Sequence, residues 1–414
     1  MESKIMSGNE LIVQGGLEAG ISLYTGYPGS PLADFFNILH EKKSELNARG
    51  IRFVIGNSEA NAAAMASGAK QAGKDVLVAM KSMGLHVAAD ALSVGNFANP
   101  GPKNIDKNTN FAGVVIVVGD DPWSMSTSTP ADSRYLFKHL HIPFLEPSTP
   151  QELKDWIKIA LALSKNTSVY QGVLLTTFMA EGGGRVKVGE IKEIKNDLID
   201  LDPSLFDLQK NVMVPPNSLI ADKMMIQERF PKVLKEMARL NLDKKFGNLE
   251  SEIGVISSGM IFETAKNVLE EGKLLKDISL YKLASSYPLV EELLLPWLEK
   301  LRYLVVIEEK RGFLEGELSE LCQKHSINLK ILGKKFKNEF DKNFGFPAHG
   351  GLSFEIIRDT LKEAWKIIGL SWDGSIEYPC LENNQNLPKR LPTFCPGCPH
   401  RETLSLLKEL REVL

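Results

Sequence analysis

The stretch Ile51-Arg52-Phe53-Val54-Ile55-Gly56-Asn57-Ser58-Glu59-Ala60-Asn61-Ala62-Ala63-Ala64-Met65-Ala66-Ser67-Gly68-Ala69, followed by Val76-Leu77-Val78-Ala79-Met80, reads as strand, helix and strand in succession. Short apolar runs rich in β-branched residues flank a segment long enough to cross back over a sheet. Asn57 or Ser58 supplies the N-cap, which places Glu59 in the first turn, where the positive end of the helix dipole stabilises a carboxylate. Behind it the helix is built almost wholly from tiny side chains, so another backbone can approach closely. Gly68 and Gly73 each cost such a helix about 1 kcal/mol relative to Ala, which predicts close packing there as compensation. Two readings of Glu59 stand at this point: a first-turn carboxylate of a packing helix, or a functional group at the mouth of that helix.

The same alternation extends outward. Strands are expected at Ile21–Thr25, Ile51–Ile55, Val76–Met80, Gly113–Val118, Ile142–Leu145 and Gly172–Thr177, with helices over 31–40, 59–73, 84–94, 132–140 and 150–164. Such a pattern predicts a parallel sheet covered by helices on both faces, with ligands bound at the carboxyl ends of the strands. A second unit repeats the logic: strands Ile253–Ser257, Ile278–Leu283, Tyr303–Ile307 and Asn328–Leu332, with helices over 261–271, 289–300, 314–325 and 352–366. The expected fold class is therefore α/β, with two doubly wound, mostly parallel-sheet domains. The expected boundaries are 1–186 for the first domain, 187–250 for a charged, Pro215-Pro216-containing crossover linker, 251–368 for the second domain and 369–414 for an irregular tail.

A chain of 414 residues with a formal net charge of −3 lacks the basic clusters that nucleic acid or an anionic membrane surface requires. It has no apolar run of the roughly 18 residues that span a bilayer, and Met1-Glu2-Ser3-Lys4 does not open a signal peptide, so a cytoplasmic protein is expected. Four cysteines do not make a disulfide framework at this length. Cys395-Pro396-Gly397-Cys398 instead suggests metal or redox chemistry, with Cys380 and His400 near in sequence. Two thiolates are an incomplete site, and a capped turn explains the same residues.

Each strand of the first unit leads into a turn rich in small or polar residues. In Thr25-Gly26-Tyr27-Pro28-Gly29-Ser30-Pro31 the glycines permit close ligand approach, and Ser30 is expected to cap the following helix and present a hydroxyl. A simple tight turn accounts for the same residues. Met80-Lys81-Ser82-Met83-Gly84 and Gly119-Asp120-Asp121-Pro122-Trp123 leave neighbouring strands, and the polar stretch Ser126–Ser133 is suited to cover them. Asp120 and Asp121 are metal ligands on one reading and turn or cap residues on the other. Arg134 is suited either to grip an anionic substrate or to pair with Asp132 or Asp121.

The order of Gly8-Asn9-Glu10, Gly15-Gly16-Leu17-Glu18-Ala19-Gly20, Thr25–Pro31, Asn57-Ser58-Glu59, Met80–Gly84, Asp120-Asp121-Pro122 and Asp132-Ser133-Arg134 resembles that of the thiamine-diphosphate-dependent 2-oxoacid:ferredoxin oxidoreductases, and among them the α subunits of the indolepyruvate type. The likeness continues through Gly254–Gly259, Tyr287-Pro288-Leu289 and Val306–Glu309 to Cys395–Arg401, nearly the whole chain. It implies a pyrimidine-binding domain followed by a transketolase-C-terminal-like domain. It implies further that Glu59 is catalytic and bonds the aminopyrimidine, that Tyr27, Pro28, Met83 and Gly84 surround the cofactor, and that Ser30, Gly29 and Arg134 face the substrate. The implied activity is oxidation of an arylpyruvate-type 2-oxoacid with coenzyme A and ferredoxin. The Gly-Asp-Gly…Asn motif that binds Mg²⁺ and diphosphate is missing from these residues, as is a ferredoxin-type cysteine cluster. Those parts, including any [4Fe–4S] cluster, are expected from a partner chain or domain, in a homo- or hetero-oligomer. The alternatives are a β-type subunit of a 2-oxoacid dehydrogenase and a non-catalytic remnant or assembly module.

Overall fold

The computed structural model describes residues 2–98, 112–125, 127, 129–194, 212–337, 342–372 and 399–413. The chain is α/β, as expected. Its first sheet has six parallel strands: β2 (Leu23–Gly26), β3 (Arg52–Ile55), β4 (Val76–Lys81), β5 (Val114–Asp120), β6 (Phe144–Leu145) and β7 (Gln171–Thr176). Their spatial order is β3-β2-β4-β5-β7-β6, so the chain winds outward in both directions from the middle. Val78 pairs with Ile116, and Val117 with Val173, so the central strands are apolar on both faces and buried.

Helices α1 (Gly8–Ala19), α2 (Ala33–Glu41), α3 (Lys43–Ala48), α4 (Glu59–Gln71), α5 (Ser82–Phe97), α6 (Arg134–His139), α7 (Pro150–Thr167) and α8 (Thr177–Glu181) surround the sheet. Of these, α1 and α3 extend beyond the expected pattern, as does the antiparallel ribbon of β1 (Ser3–Ser7) with β8 (Gly183–Lys187). The start of α1 is a capping box in which Ser7 and Glu10 satisfy one another's backbone N–H groups. Its Gly15 lets α7 come close, because a Cβ there would lie 2.4 Å from the Lys154 carbonyl oxygen.

The second sheet runs β13 (Lys330–Leu332), β12 (Tyr303–Ile307), β10 (Ile253–Ser258), β11 (Ser279–Leu283) and β9 (Lys244–Gly247), with only β9 antiparallel. Residues expected to cross between domains do more than connect. Helices α9 (Asn217–Met224) and α10 (Phe230–Leu240), joined by a π turn over Met225–Arg229, bury Met225, Val233 and Met237 in the core of the first unit. Arg229 is buried with them because its guanidinium donates to the carbonyls of Asn96, Phe97 and Ser168. Helices α11 (Ile261–Glu271), α12 (Glu291–Leu298), α13 (Phe313–Lys324) and α14 (Phe354–Ile368), with the β14–β15 ribbon (Phe336–Lys337, Asn343–Phe344), complete this region.

Both sheets belong to one compact unit, residues 1–374. Residues 375–414 form a second unit, whose described part is helix α15 (Pro399–Val413), with Leu404, Leu406, Leu407 and Leu410 exposed. Among the described residues no helix is long and apolar enough to cross a membrane.

Candidate functional site at the carboxyl rim of the first sheet

Glu59 is the first residue of α4, and the Ser58 hydroxyl accepts the Asn61 N–H at 3.2 Å to cap the helix. The side chain is only 7% exposed, yet its carboxylate has no hydrogen bond or ion pair among the described residues. A buried carboxylate without a partner is costly, and the helix dipole offsets only part of that cost. The carboxylate lies directly over Gly84: a Cβ there would stand 2.6 Å from Glu59 Oε1. Gly84 is thus the floor on which Glu59 rests.

Behind Glu59 the tiny side chains do pack closely, but on one face. Ala62, Ala63 and Ala66 are fully buried in a cluster with Leu85, Ala88 and Leu92 of α5. Gly68 and Gly73 do not follow the expectation of close packing, since nothing lies within 4 Å of a Cβ built at either. Gly73 is explained by its backbone, at φ +71° beyond the end of α4, while Gly68 faces open space.

The turn after β2 crosses the rim toward β5. Gly26 is required at φ +148°, where a Cβ would meet the Ala79 carbonyl at 2.0 Å. The Asn9 amide donates to the Pro31 and Ala180 carbonyls at 3.2 and 3.0 Å and pins the far end of the turn, and Pro31 packs against Gly119. Ser30 does not cap the next helix: α2 starts at Ala33 without a side-chain cap, because Leu32 N–H closes a tight turn onto the Gly29 carbonyl at 2.9 Å. The Ser30 hydroxyl is therefore left half-buried with no hydrogen bond among the described residues. Tyr27 and Pro28 are exposed beside it, and Met83 is half-buried, its sulfur accepting the Thr129 hydroxyl at 3.4 Å.

Asp120 and Asp121 take the turn-and-cap reading, and among the described residues no group of three or more metal-type ligands assembles. Asp120 accepts the Ser133 N–H at 2.9 Å and its hydroxyl at 2.5 Å, while Asp121 accepts Thr127 N–H at 2.8 Å. Burial pushes the Asp120 carboxyl up to about 7, against the pull of the Ser133 hydrogen bonds. Of the two roles open to Arg134, the structure forms the ion pair. Its guanidinium grips Asp132 through Nε and Nη2 at 2.8 and 2.7 Å, reaches Glu308 at 2.6 Å, and donates to the Glu309 and Arg311 carbonyls. The substrate-binding role expected of Arg134 gives way to an anchor between the two sheets, because its donors are already committed.

Sequence reasoning passed over Lys81, whose stem lies against Gly29: a Cβ there would be 2.9 Å from Lys81 Cδ. It also passed over Thr25 and Ser82, whose buried hydroxyls have no partner. The position of Lys81 at the end of β4, opposite the Tyr27–Ser30 turn, was the available signal. Cys395 and Cys398 lie outside the described residues.

Comparison with known proteins follows the same line. Residues 243–371 match the indolepyruvate oxidoreductase domain. The chain is 28% identical over 398 residues to indolepyruvate oxidoreductase subunit IorA of Methanothermobacter thermautotrophicus, covering 95% of this chain and 58% of that protein. With IorA of Thermococcus kodakarensis it shares 26% identity over 419 residues, 99% of this chain and 60% of the relative. The chain thus spans about 60% of the length of these curated relatives. A shorter likeness, 32% over 93 residues, joins it to ketoisovalerate oxidoreductase subunit VorB of Methanothermobacter thermautotrophicus, covering 22% of this chain and 26% of that protein. Its fold is similar to 2-oxoglutarate:ferredoxin oxidoreductase from Magnetococcus marinus, solved with 2-oxoglutarate, coenzyme A and succinyl-CoA bound, at TM-score 0.63 and 17% identity over 87% of this chain and 65% of that one. Motif order, domain match and likeness over nearly the whole length agree that the chain is similar throughout to the IorA subunits of indolepyruvate oxidoreductases.

Proposed function

We propose that this chain is the pyrimidine-activating part of a thiamine-diphosphate-dependent 2-oxoacid:ferredoxin oxidoreductase of the arylpyruvate type. It works with a partner chain or domain that binds the diphosphate. The observation that carries the reading is Glu59: a carboxylate nine-tenths buried, without a protein partner, held on Gly84 at the carboxyl rim of a parallel sheet. That arrangement fits a heterocyclic ring nitrogen, which can share a proton with Glu59 where water is scarce. When bound, thiamine diphosphate supplies the nucleophilic carbon that attacks the keto group of a 2-oxoacid. Glu59 holds the proton at its carboxylate oxygens, and the rim formed by Tyr27, Pro28, Met83 and Gly84 keeps that oxygen pair dry and oriented. Ser30 offers a free hydroxyl, and Lys81 beside Gly29 offers the cation for the substrate carboxylate that Arg134 does not. Mg²⁺, the [4Fe–4S] clusters, and the coenzyme A and ferredoxin sites belong to the complete complex. The names of the relatives support this assignment.

The test is 2-oxoacid-dependent ferredoxin reduction by the chain assembled with its diphosphate-binding partner. Glu59→Gln is expected to lower kcat by about 10²–10⁴-fold, the range for loss of a positioned proton-transfer group. Lys81→Met is expected to raise KM for the 2-oxoacid more than it lowers kcat. Full activity of the Glu59→Gln complex would overturn the reading of the site, and an unchanged KM would remove Lys81 from it.

A further inference from the structure

Arg134 sits in the wall of a second feature, a cavity of about 60 Å³ where the carboxyl ends of β5 and β7 face those of β10 and β12. Its walls carry five carboxylates, and each already has a protein donor. Asp132 and Glu308 are held by Arg134, and Asp120 by Ser133. Glu146 accepts the Ser286 N–H and hydroxyl at 3.1 and 2.6 Å, and Glu309 accepts the Leu352 N–H at 3.1 Å. Burial pushes Asp120, Glu146 and Glu309 toward their neutral forms, so the cavity is less negative than the count of acids implies.

Lys310 is the opposite case. It lines the cavity, is 8% exposed, and makes no hydrogen bond or ion pair among the described residues. Its backbone is held at φ +60°, a conformation that a residue with a Cβ adopts only when its surroundings impose it. Facing the same cavity are Gly259, Met260 and Ile261, where α11 begins without a side-chain cap. A helix N-terminus presents N–H groups and a partial positive charge to anions. A buried ammonium without an acceptor and an uncapped helix start thus line one small space.

We propose that this cavity is an oxyanion site, in which Lys310 and the N-terminus of α11 bind a carboxylate or phosphate group. It is separate from the Glu59 site and does not depend on the reading given to that site. A space of this size admits a single such group, with the rest of any larger molecule lying outside the mouth.

The experiment is thermal unfolding of the full chain titrated with inorganic phosphate or with acetate, against chloride at matched ionic strength. Saturable stabilisation by either anion is expected. Response to phosphate alone assigns a phosphate group to the site, and response to acetate assigns a carboxylate. Lys310→Met, and Lys310→Gly, which also relaxes the left-handed backbone, should weaken the apparent affinity about tenfold or more, the scale of a charged hydrogen bond. Glu59→Gln should leave it unchanged. No stabilisation of the native chain beyond chloride, or equal stabilisation of Lys310→Gly, would overturn the proposal.

Discussion

The Glu59 carboxylate and the Gly84 backbone form a pair in which one residue is useful only because the other is small. Gly84 lies in an ordinary helical conformation, so an alanine there is permitted by the backbone and opposed only by the Glu59 side chain, 2.6 Å from the added Cβ. The obstructing atoms are the far end of a flexible chain, which can swing away at little cost to folding. Gly84→Ala should therefore shift stability by about 1 kcal/mol or less while lowering 2-oxoacid turnover by at least about tenfold. Thermal unfolding beside ferredoxin reduction separates the two effects; equal losses in both would point to a packing role alone. Glu59 was legible because its capping neighbours and helix position are local. Its missing partner and its contact with Gly84 join separate elements, and no local pattern records them.

At the scale of elements, the segment from Pro122 to Ser133 is tied down at both ends by acids: Asp121 holds Thr127 and Asp120 holds the start of α6. The Asp120 carboxyl titrates near 7 in the folded chain because burial opposes its charge, whereas an unfolded aspartate titrates near 3.9. Between those values the folded state binds the proton and the unfolded state does not, so stability falls as pH rises and levels off above about 7. Asp120→Asn removes this dependence while keeping an acceptor for the Ser133 N–H. Subtracting the stability of Asp120→Asn from that of the native chain should leave a slope of about −1.4 kcal/mol per pH unit between roughly pH 5 and 7. Denaturant unfolding at four pH values measures it, and a flat difference curve rejects the assignment. The acids were visible in sequence as turn residues, and so they prove; their link to Ser133 closes a loop that spacing alone does not specify. The same limit applied to Arg134, where the sequence offered an ion pair or a substrate contact and Glu308, far along the chain, joins the pair in burying it.

Across the whole molecule, the two sheets are not independent bodies joined by a tether. Phe144 at the edge of the first sheet donates its N–H to the Tyr287 carbonyl at 3.1 Å, and Glu146 N–H donates to Ala284 at 2.8 Å, so backbone bonds run from one region into the other. The segment that reads as a crossover linker is drawn into this structure by an apolar stripe, Met225, Val233 and Met237, that recurs at helical spacing through its charges. Arg229 interrupts the stripe, and only backbone carbonyls from distant segments make its burial tolerable. At the centre of the contact, Glu152 on α7 receives the buried ammonium of Lys282 on β11, a second bond from Lys244 on β9 at 3.0 Å, and the Ser148 hydroxyl at 3.0 Å. Lys282 has no other hydrogen-bond acceptor among the described residues. Removing one member of such a buried pair strands the other, at a cost on the order of 3–5 kcal/mol. Glu152→Ala should thus destabilise both sheets together. Trp156 on α7 and Trp297 on α12 report from the two sides, and their fluorescence transitions in urea should coincide in the native chain and shift in step to lower urea in the variant. Loss of the Trp156 transition alone would mean that the sheets unfold separately, and that the rim carrying Glu59 is not braced by the second sheet.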